Sequence, residues 1–325
     1  MQDFLVFPGI TIGEVINRGY KVPKDVMELP VETVDGETVF VWRREPPIPL
    51  VYNKKKIILL LHGNGDSARS FYNLQKWFSD AGFVAYTLEY RGFLGTTGWP
   101  SEKGIYLDGE AAINEILKRE SATPKDLSIF AHSIGTGPAA YLAAKFQVKT
   151  LALISPYDNF RGLVHEMPWI GYLSPFLKYD FPTSEYISQL KETSLIVAHG
   201  KIDTTVPYWH GVETYSSYKG SGKRFLFLSD MASHNNVLHY LGSQVGAKIS
   251  KLAREELPNP HNHQQSTFNI SHNIPWQQAN QSIILNSMHL ISIIHSHSLT
   301  LQAIFSYRAY LTILTLIASE YCRTG

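Results

Sequence analysis

Short apolar runs alternate with amphipathic stretches over most of the chain. Within each run the apolar residues are continuous, which is typical of strands that are buried on both faces. This order of strand and helix predicts an α/β protein whose mostly parallel sheet carries helices on both faces. The predicted parallel strands are 57–61, 84–88, 127–130, 150–154, 194–198 and 224–228.

The chain ahead of these strands predicts an antiparallel edge for the sheet. Segments 31–34 and 39–42 are rich in β-branched and aromatic residues, and they flank Asp35-Gly36, a pair that favours the turn of a hairpin. Farther along, residues 104–120 place their apolar side chains on one helical face. That pattern predicts a surface helix packed on the sheet.

The composition of the chain changes after Glu256. Of the 28 acidic residues only Glu320 lies beyond that point, and of the 29 Lys and Arg only Arg308 and Arg323 do. Segment 257–325 is first rich in Asn, His and Gln and then in Ile, Leu and Ser. We therefore expect a domain boundary near residue 257.

Three interpretations of the tail 257–325 compete: a poorly ordered extension, which is the preferred one, a membrane-associating segment, or an amphipathic element that packs on a partner. A spanning helix is disfavoured, since His295, His297 and Arg308 interrupt the required apolar run. Paired histidines such as His261 and His263 have a spacing that two metal ligands could use. Without a third ligand, the sequence predicts no metal site.

Charge and cysteine content exclude several classes of protein. The net charge is +1 and 18% of residues are charged, so no field of one sign predicts a nucleic acid partner. Cys322 is the only cysteine, so the body has neither a disulfide nor a thiolate metal site. The amino-terminal residues lack the basic and apolar regions of a secretory signal. We expect a cytoplasmic protein, with peripheral membrane association left open.

A nucleophile motif follows the strand at 127–130. The string A-H-S-I-G at 131–135 stands at a strand-to-helix junction, the context in which a G-x-S-x-G-like motif is informative. The sharp turn requires small residues two positions on either side of Ser133, and Gly135 and Ala131 supply them. The helix that follows favours the negative charge of acyl transfer. The alternative is a serine that only caps this helix.

The loop after strand 57–61 predicts an oxyanion site. It reads His62-Gly63-Asn64-Gly65, and its glycines leave the backbone open to a substrate oxygen. In nucleophile-elbow enzymes one donor is the residue after the nucleophile and the other comes from this loop. We therefore expect the backbone N–H groups of Asn64 and Ile134 to form the oxyanion hole. The alternative is a tight turn with Asn64 as a helix cap.

Two later loops supply the partners of the serine. Asp203 follows strand 194–198, and His234 lies in the short loop after the last strand. The chain order Ser133, Asp203, His234 is the order that nucleophile-elbow hydrolases require. His234 is then the general base, and Asp203 orients it. Asp158 and Asp180 are the competing acids, and the chemistry requires neither a metal nor an organic cofactor.

At this point the sequence resembles the α/β-hydrolases related to acyl-protein thioesterases, also described as serine-aminopeptidase-like hydrolases. The resemblance spans about residues 4–252. It implies the α/β-hydrolase fold over residues 1–256, with an eight-stranded sheet and a small cap, and it carries Ser133, Asp203 and His234 across. The strings that carry it are H-G-N-G from His62, Y-R-G from Tyr90, P-S-E-K-G-I-Y-L-D from Pro100, S-I-G-T-G-P-A from Ser133 and S-P-Y from Ser155.

The family pattern has two departures in this chain. Ala131 stands where relatives usually have glycine, and the membrane helix that many relatives carry at the amino terminus is absent. The resemblance fixes no substrate, because relatives look like thioesterases and lipid esterases alike.

The predicted cap at 157–192 is dense in apolar and aromatic residues, which indicates either an acyl pocket or the cap's own core. We expect a small-molecule or lipid-like acyl substrate, held as an ester or thioester. The alternatives are an acyltransferase that uses the same triad and a catalytically silent binding protein. The residues expected to contact substrate are His62, Tyr157, Trp169 and Phe176.

Overall fold

A computed structural model describes residue 7 and residues 21–47, 55–93, 95–167 and 171–255. These residues contain one eight-stranded sheet in the order β1-β2-β4-β3-β5-β6-β7-β8. The predicted tail 257–325 and its boundary lie outside the described residues. The strands are β1 (Met27–Glu32), β2 (Thr38–Arg44), β3 (Ile57–Leu61), β4 (Val84–Glu89), β5 (Leu127–His132), β6 (Thr150–Ile154), β7 (Ser194–Gly200) and β8 (Arg224–Ser229).

The sheet confirms the predicted topology. Strands β1, β2 and β4 pair in antiparallel fashion, and every neighbouring pair from β4 to β8 is parallel. The hairpin turns at Asp35-Gly36, where Gly36 has a φ of 83° that suits glycine. Val34, predicted to end the first strand, is 88% exposed because β1 begins earlier, at Met27, and ends at Glu32.

Helices cover both faces of the sheet, as predicted. The predicted helix at 104–120 begins two residues earlier, because the side chain of Ser101 accepts a 3.0 Å hydrogen bond from the N–H of Gly104 and caps it. The described helices are α1 (Tyr72–Asp80), α2 (Glu102–Glu120), α3 (Thr136–Phe146), α4 (Phe160–Glu166), α5 (Thr183–Ser188), α6 (Tyr208–Ser216) and α7 (Val237–Arg254).

The buried core lies on the two faces of the sheet. Alternate residues of β3 point to opposite faces, so Leu59 joins one cluster with side chains of α2 and α3, while Leu60 joins another with α1 and α7. All five residues of β3 are fully buried. This double burial explains why the strand is apolar throughout.

Described residues of the cap form α4, a 3-10 turn at Gly171–Phe176 and α5. The described aromatic residues of this segment fall into two groups. Tyr179 and Phe181 are buried in the main core, whereas Tyr172 and Phe176 are 61% and 70% exposed. Within the described part of the chain, no helix combines the length and the apolar character that crossing a membrane requires.

Glu120, the last residue of α2, ties this helix to the antiparallel edge of the sheet. Its carboxylate accepts hydrogen bonds from Arg43 (2.8 Å), Lys55 (2.7 Å) and Tyr86 (2.5 Å). Burial opposes the ionisation of Glu120, but these hydrogen bonds outweigh burial and lower its pKa to about 2. Ionised Glu120 therefore stabilises the fold above pH 4.5, and the contribution is lost as the pH falls toward 2.

We predict that Glu120→Gln lowers the free energy of unfolding at pH 7 by about 1–2 kcal/mol, because it removes the buried carboxylate that pairs with Arg43 and Lys55. Urea unfolding at pH 7 and at pH 3 measures the effect, and the difference from the unaltered protein should shrink at pH 3. Glu115→Gln, which removes only a surface pair with Arg119, is the control and should cost under about 0.5 kcal/mol. An equal cost at both pH values would contradict the assignment.

Candidate active site

A strained turn joins β5 to α3 and projects Ser133. Ser133 has a φ of 53°, a left-handed conformation that costs a non-glycine residue about 1–3 kcal/mol. A Cβ atom at Gly135 would lie 2.6 Å from the carbonyl oxygen of His62, so only glycine fits there. Ala131 is accommodated in place of the usual glycine, since its methyl group is fully buried in the main core cluster. The turn has the geometry of a nucleophile elbow.

Three sequence-predicted residues meet above this turn. The Nε2 atom of His234 lies 2.9 Å from the Oγ atom of Ser133, and its Nδ1 atom lies 2.7 Å from the Oδ2 atom of Asp203. A carboxylate only accepts, so Nδ1 carries the proton and Nε2 is left to accept from the serine hydroxyl. The arrangement is that of a Ser-His-Asp triad at rest.

The environment of Asp203 keeps it ionised. Its Oδ1 atom accepts the N–H groups of Thr205 (2.9 Å) and Val206 (2.8 Å), while Oδ2 faces His234. Burial of the carboxylate opposes ionisation, but hydrogen bonds from His199 and His234 outweigh it and hold the pKa of Asp203 well below its usual range. A fixed negative charge at this position can stabilise an imidazolium at His234.

His199 is a residue whose role the sequence did not reveal. It is fully buried at the end of β7, and its Nε2 atom lies 2.8 Å from the carbonyl oxygen of Val206 and 3.3 Å from Oδ2 of Asp203. Gly211 of α6 leaves room for the ring, because a Cβ atom there would lie 2.4 Å from its Nδ1 atom. His199 thus holds both the loop and the carboxylate that the loop carries. In the sequence, the only signal of this role was the spacing H-G-x-x-D, which places His199 four residues before Asp203.

A second missed imidazole, His132, lies directly before the nucleophile. Its Nε2 atom is 3.2 Å from the carbonyl oxygen of His234, and its ring centroid is 5.2 Å from that of His234. Burial and the neighbouring His234 lower the pKa of His132 to about 4, although Asp66 acts in the opposite direction. His132 is therefore neutral at pH 7 and donates to the backbone of the loop that carries the base.

The structure places the predicted oxyanion residues around one small cavity. Asn64 and Ile134 both line it, together with Gly63 and Gly135. The two residues come from the loops after β3 and β5, which are hydrogen-bonded neighbours in the sheet. Their backbone N–H groups stay the predicted donors for a developing oxyanion.

His62 has a supporting role instead of the substrate-binding role that the sequence predicted. Its ring is fully buried, so it has no surface to offer a substrate. Its Nε2 atom forms a 3.2 Å ion pair with Glu89, and its Nδ1 atom lies 2.9 Å from the carbonyl oxygen of Gly63. Burial lowers the pKa of His62, but Glu89 more than offsets this and the net pKa is raised. The pair anchors the loop that carries Asn64.

The other residues expected to contact substrate fall in three different places. Tyr157 is 1% exposed, and its hydroxyl donates a 3.0 Å hydrogen bond to the carbonyl oxygen of Ile134, so it too supports the oxyanion loop and corrects our expectation. Phe176 is exposed and does not line the cavity. Trp169 lies outside the described residues.

Residues 56–184 match the family described as alpha/beta hydrolase fold. Together with the sheet order and the turn at Ser133, this match shows that the chain has an alpha/beta hydrolase fold.

Two relatives are similar to this chain in sequence, each at 30% identity or less. The uncharacterized protein YfhR of Escherichia coli O157:H7 is 30% identical over 179 residues, which make up 53% of this chain and 61% of YfhR. The lysophosphatidylserine lipase ABHD12 of Danio rerio is 27% identical over 231 residues, which cover 63% of this chain and 59% of the relative. The chain spans about three fifths of the length of these two relatives.

Among solved structures, the esterase Pf2001 of Pyrococcus furiosus has a TM-score of 0.55 at 19% identity, with 72% of this chain and 95% of that chain covered. At this identity the likeness shows the fold alone. The closer relation to acyl-protein thioesterases stays a prediction.

We predict that Gly135→Val lowers the free energy of unfolding by about 2–3 kcal/mol, because its side chain meets the carbonyl oxygens of Leu61 and His62. Urea unfolding measures the loss. Gly36→Val is an informative comparison, since that glycine has a positive φ but a Cβ atom there would meet nothing within 4 Å. A smaller loss at Gly135 than at Gly36 would contradict the crowding that we assign to the elbow.

Proposed function

We propose that the protein is a serine hydrolase that cleaves carboxylic esters or thioesters through an acyl-enzyme on Ser133. The observation that carries the proposal is the unbroken chain of contacts from Ser133 Oγ through His234 to the buried carboxylate of Asp203, at 2.9 and 2.7 Å. Ser133 directly precedes Ile134, which lines the cavity together with Asn64.

In the first half of the reaction, His234 takes the hydroxyl proton as Ser133 Oγ attacks the acyl carbonyl carbon. A new O–C bond forms, and the carbonyl electron pair moves to oxygen, where the N–H groups of Asn64 and Ile134 stabilise the charge. The intermediate collapses, the bond to the leaving group breaks, and His234 returns the proton to the departing alcohol or thiol. The products of this half are the acyl-enzyme and the free leaving group.

In the second half, a water molecule takes the position that the departing alcohol or thiol has left. His234 removes a proton from the water as it attacks the acyl carbonyl, and the same donors hold the oxyanion. Collapse of this intermediate breaks the bond to Ser133 Oγ, which recovers its proton from His234. Asp203 stays ionised throughout and stabilises the imidazolium in both halves.

The relatives support an ester substrate. The name of ABHD12 describes a lysophosphatidylserine lipase, and Pf2001 is described as an esterase. Apolar and aromatic side chains line most of the cavity beside the oxyanion residues, which favours an acyl group over a charged one. We further propose a small-molecule or lipid-like acyl ester as substrate, no nucleic acid partner and a cytoplasmic location.

Covalent labelling with a fluorophosphonate probe tests the nucleophile. We predict that the probe modifies the unaltered protein on Ser133 and that Ser133→Ala removes both the labelling and the hydrolysis of nitrophenyl esters. The expected loss in kcat is about 10⁴-fold or more, since no other group supplies the attacking oxygen. Ser216→Ala, at an exposed serine of α6, is the matched control and should keep both. Labelling that survives Ser133→Ala would reject the proposal.

A pair of aspartate variants tests which acid orients His234. We predict that Asp203→Asn lowers kcat by about 10³–10⁴-fold, because the amide neither fixes the imidazole tautomer nor stabilises its cation. Asp180→Asn removes a competing acid whose carboxylate contacts only the surface residue Arg161 among the described ion pairs, and it should leave kcat within about twofold. Steady-state kinetics with a nitrophenyl ester measure both. Equal effects would mean that Asp203 is not the orienting acid.

A further inference from the structure

Phe7 is an aromatic side chain from the amino-terminal region that lies against the active-site cavity. It lines the same cavity as Asn64 and Ile134 and is only 1% exposed. Its ring makes edge-on contacts with Tyr179 and Phe181, at centroid distances of 5.4 and 6.4 Å. A residue far from the triad in sequence therefore borders the place where an acyl group would enter.

The cavity that Phe7 leaves open is very small. Its volume is about 10 Å³, which is about the room that one water molecule needs. An acetyl methyl group is close to this size, whereas a longer acyl chain needs space that the walls now fill. The walls do not yield easily, because protein interiors are close-packed and Phe93, Ile105 and Phe181 are themselves buried in the core.

The chemistry of the cavity is that of an acyl pocket. Besides the two oxyanion residues, its lining contains no charged side chain, and its one side-chain hydroxyl, that of Tyr90, donates to the carbonyl oxygen of His62. An alkyl chain can enter such a site without losing hydrogen bonds to water, whereas a sugar or a charged headgroup would lose them.

Phe7 differs from the other wall residues in the element that carries it. Ile105 lies on α2, whereas Phe93 lies in the loop after β4 and Phe181 lies just before α5, and these three residues shape the cavity from the body of the fold. Phe7 precedes β1 in the chain, outside every described strand and helix. Its ring can thus be changed without altering a strand of the sheet or the elbow.

We propose that Phe7 is a specificity-determining residue that closes the far end of the acyl pocket and restricts the enzyme to short acyl groups. This inference rests on the proposed function. Removal of the phenyl ring opens space for about four to six carbons of an acyl chain beside the oxyanion residues. Phe7 itself takes no part in bond making or proton transfer.

The test is the acyl-length profile of nitrophenyl esters from acetate to decanoate. We expect the unaltered protein to prefer acetate and butyrate. In Phe7→Ala the ratio of kcat/KM for octanoate to that for butyrate should rise at least about tenfold, since each methylene that gains an apolar site improves binding severalfold. Phe7→Leu should give an intermediate ratio, and it serves as the test if Phe7→Ala fails to fold.

Phe78→Leu is the matched control, because Phe78 is equally buried but belongs to the cluster on the other face of the sheet. It should lower stability and leave the length profile unchanged. An unchanged profile in a Phe7 variant that still reacts with the fluorophosphonate probe would show that Phe7 is core only, and would overturn the inference. The inference would also be overturned if a Phe7 variant gained equally in kcat/KM at all acyl lengths, or if the unaltered protein preferred octanoate.

Failure of the proposed function has a different signature. In that case neither the unaltered protein nor the variants turn over any ester, and Ser133 is not labelled. If the unaltered protein turns over no ester of any acyl length, both proposals are rejected. If Ser133 is labelled but the acyl-length profile of the Phe7 variants is unchanged, only the proposal on Phe7 is rejected.

Discussion

The left-handed backbone at Ser133 is the constraint on which the rest of the structure depends. A φ of 53° at a serine is unfavourable by about 1–3 kcal/mol, and it persists only where the surroundings determine it. Here β5 is buried on both faces before the turn, and Gly135 touches the backbone of the loop after β3 immediately behind it. The turn is thus fixed from both sides, and Ser133 Oγ lies 2.9 Å from Nε2 of His234.

Three histidines at strand ends hold the loops that surround this turn. His62 at the end of β3, with Glu89, anchors the loop of Asn64. His132 at the end of β5 donates to the backbone of His234, and His199 in β7 holds Val206 and Asp203. Each lies where a parallel strand leaves the sheet, so the carboxyl edge carries a layer of imidazoles beneath the triad. This layer supports the 2.9 Å contact between Ser133 and His234 and the 2.7 Å contact between His234 and Asp203. None of the three imidazoles is placed in the proposed proton transfer itself.

Much of the fold followed from local patterns. Continuous apolar runs marked the five parallel strands β3 to β7, because burial on two faces leaves a short-range trace in the sequence. The apolar run after Arg224 marked the edge strand β8, which is only half-buried. Asp35-Gly36 marked the hairpin, because a tight turn leaves such a trace as well. Ser133, Asp203 and His234 could be selected because each lies a few residues after the end of a predicted strand, and parallel strands bring their carboxyl ends to one edge.

The supporting residues could not be selected in the same way. His62 and Tyr157 were assigned to substrate because sequence gives the loop on which a residue lies but not the direction of its side chain. The ring of His62 turns inward to Glu89, a residue on the next strand along the chain, and Tyr157 turns back to Ile134. His199 was passed over because its bond to Val206 exists only once the loop has folded.

The proposed acyl pocket shows the same limit on a larger scale. From the sequence, the dense aromatic residues of the cap at 157–192 indicated either an acyl pocket or the cap's own core. In the structure this segment contributes Phe181 to the cavity, while the other walls come from the loops after β3, β4 and β5, from α2 and α3, and from residue 7. A pocket assembled from separate parts of the chain has no single local signature, because its walls come together only when the chain has folded. The residues that we propose for the chemistry at Ser133 therefore lie at strand ends, whereas the size of the proposed acyl pocket depends on contacts that form across the whole fold.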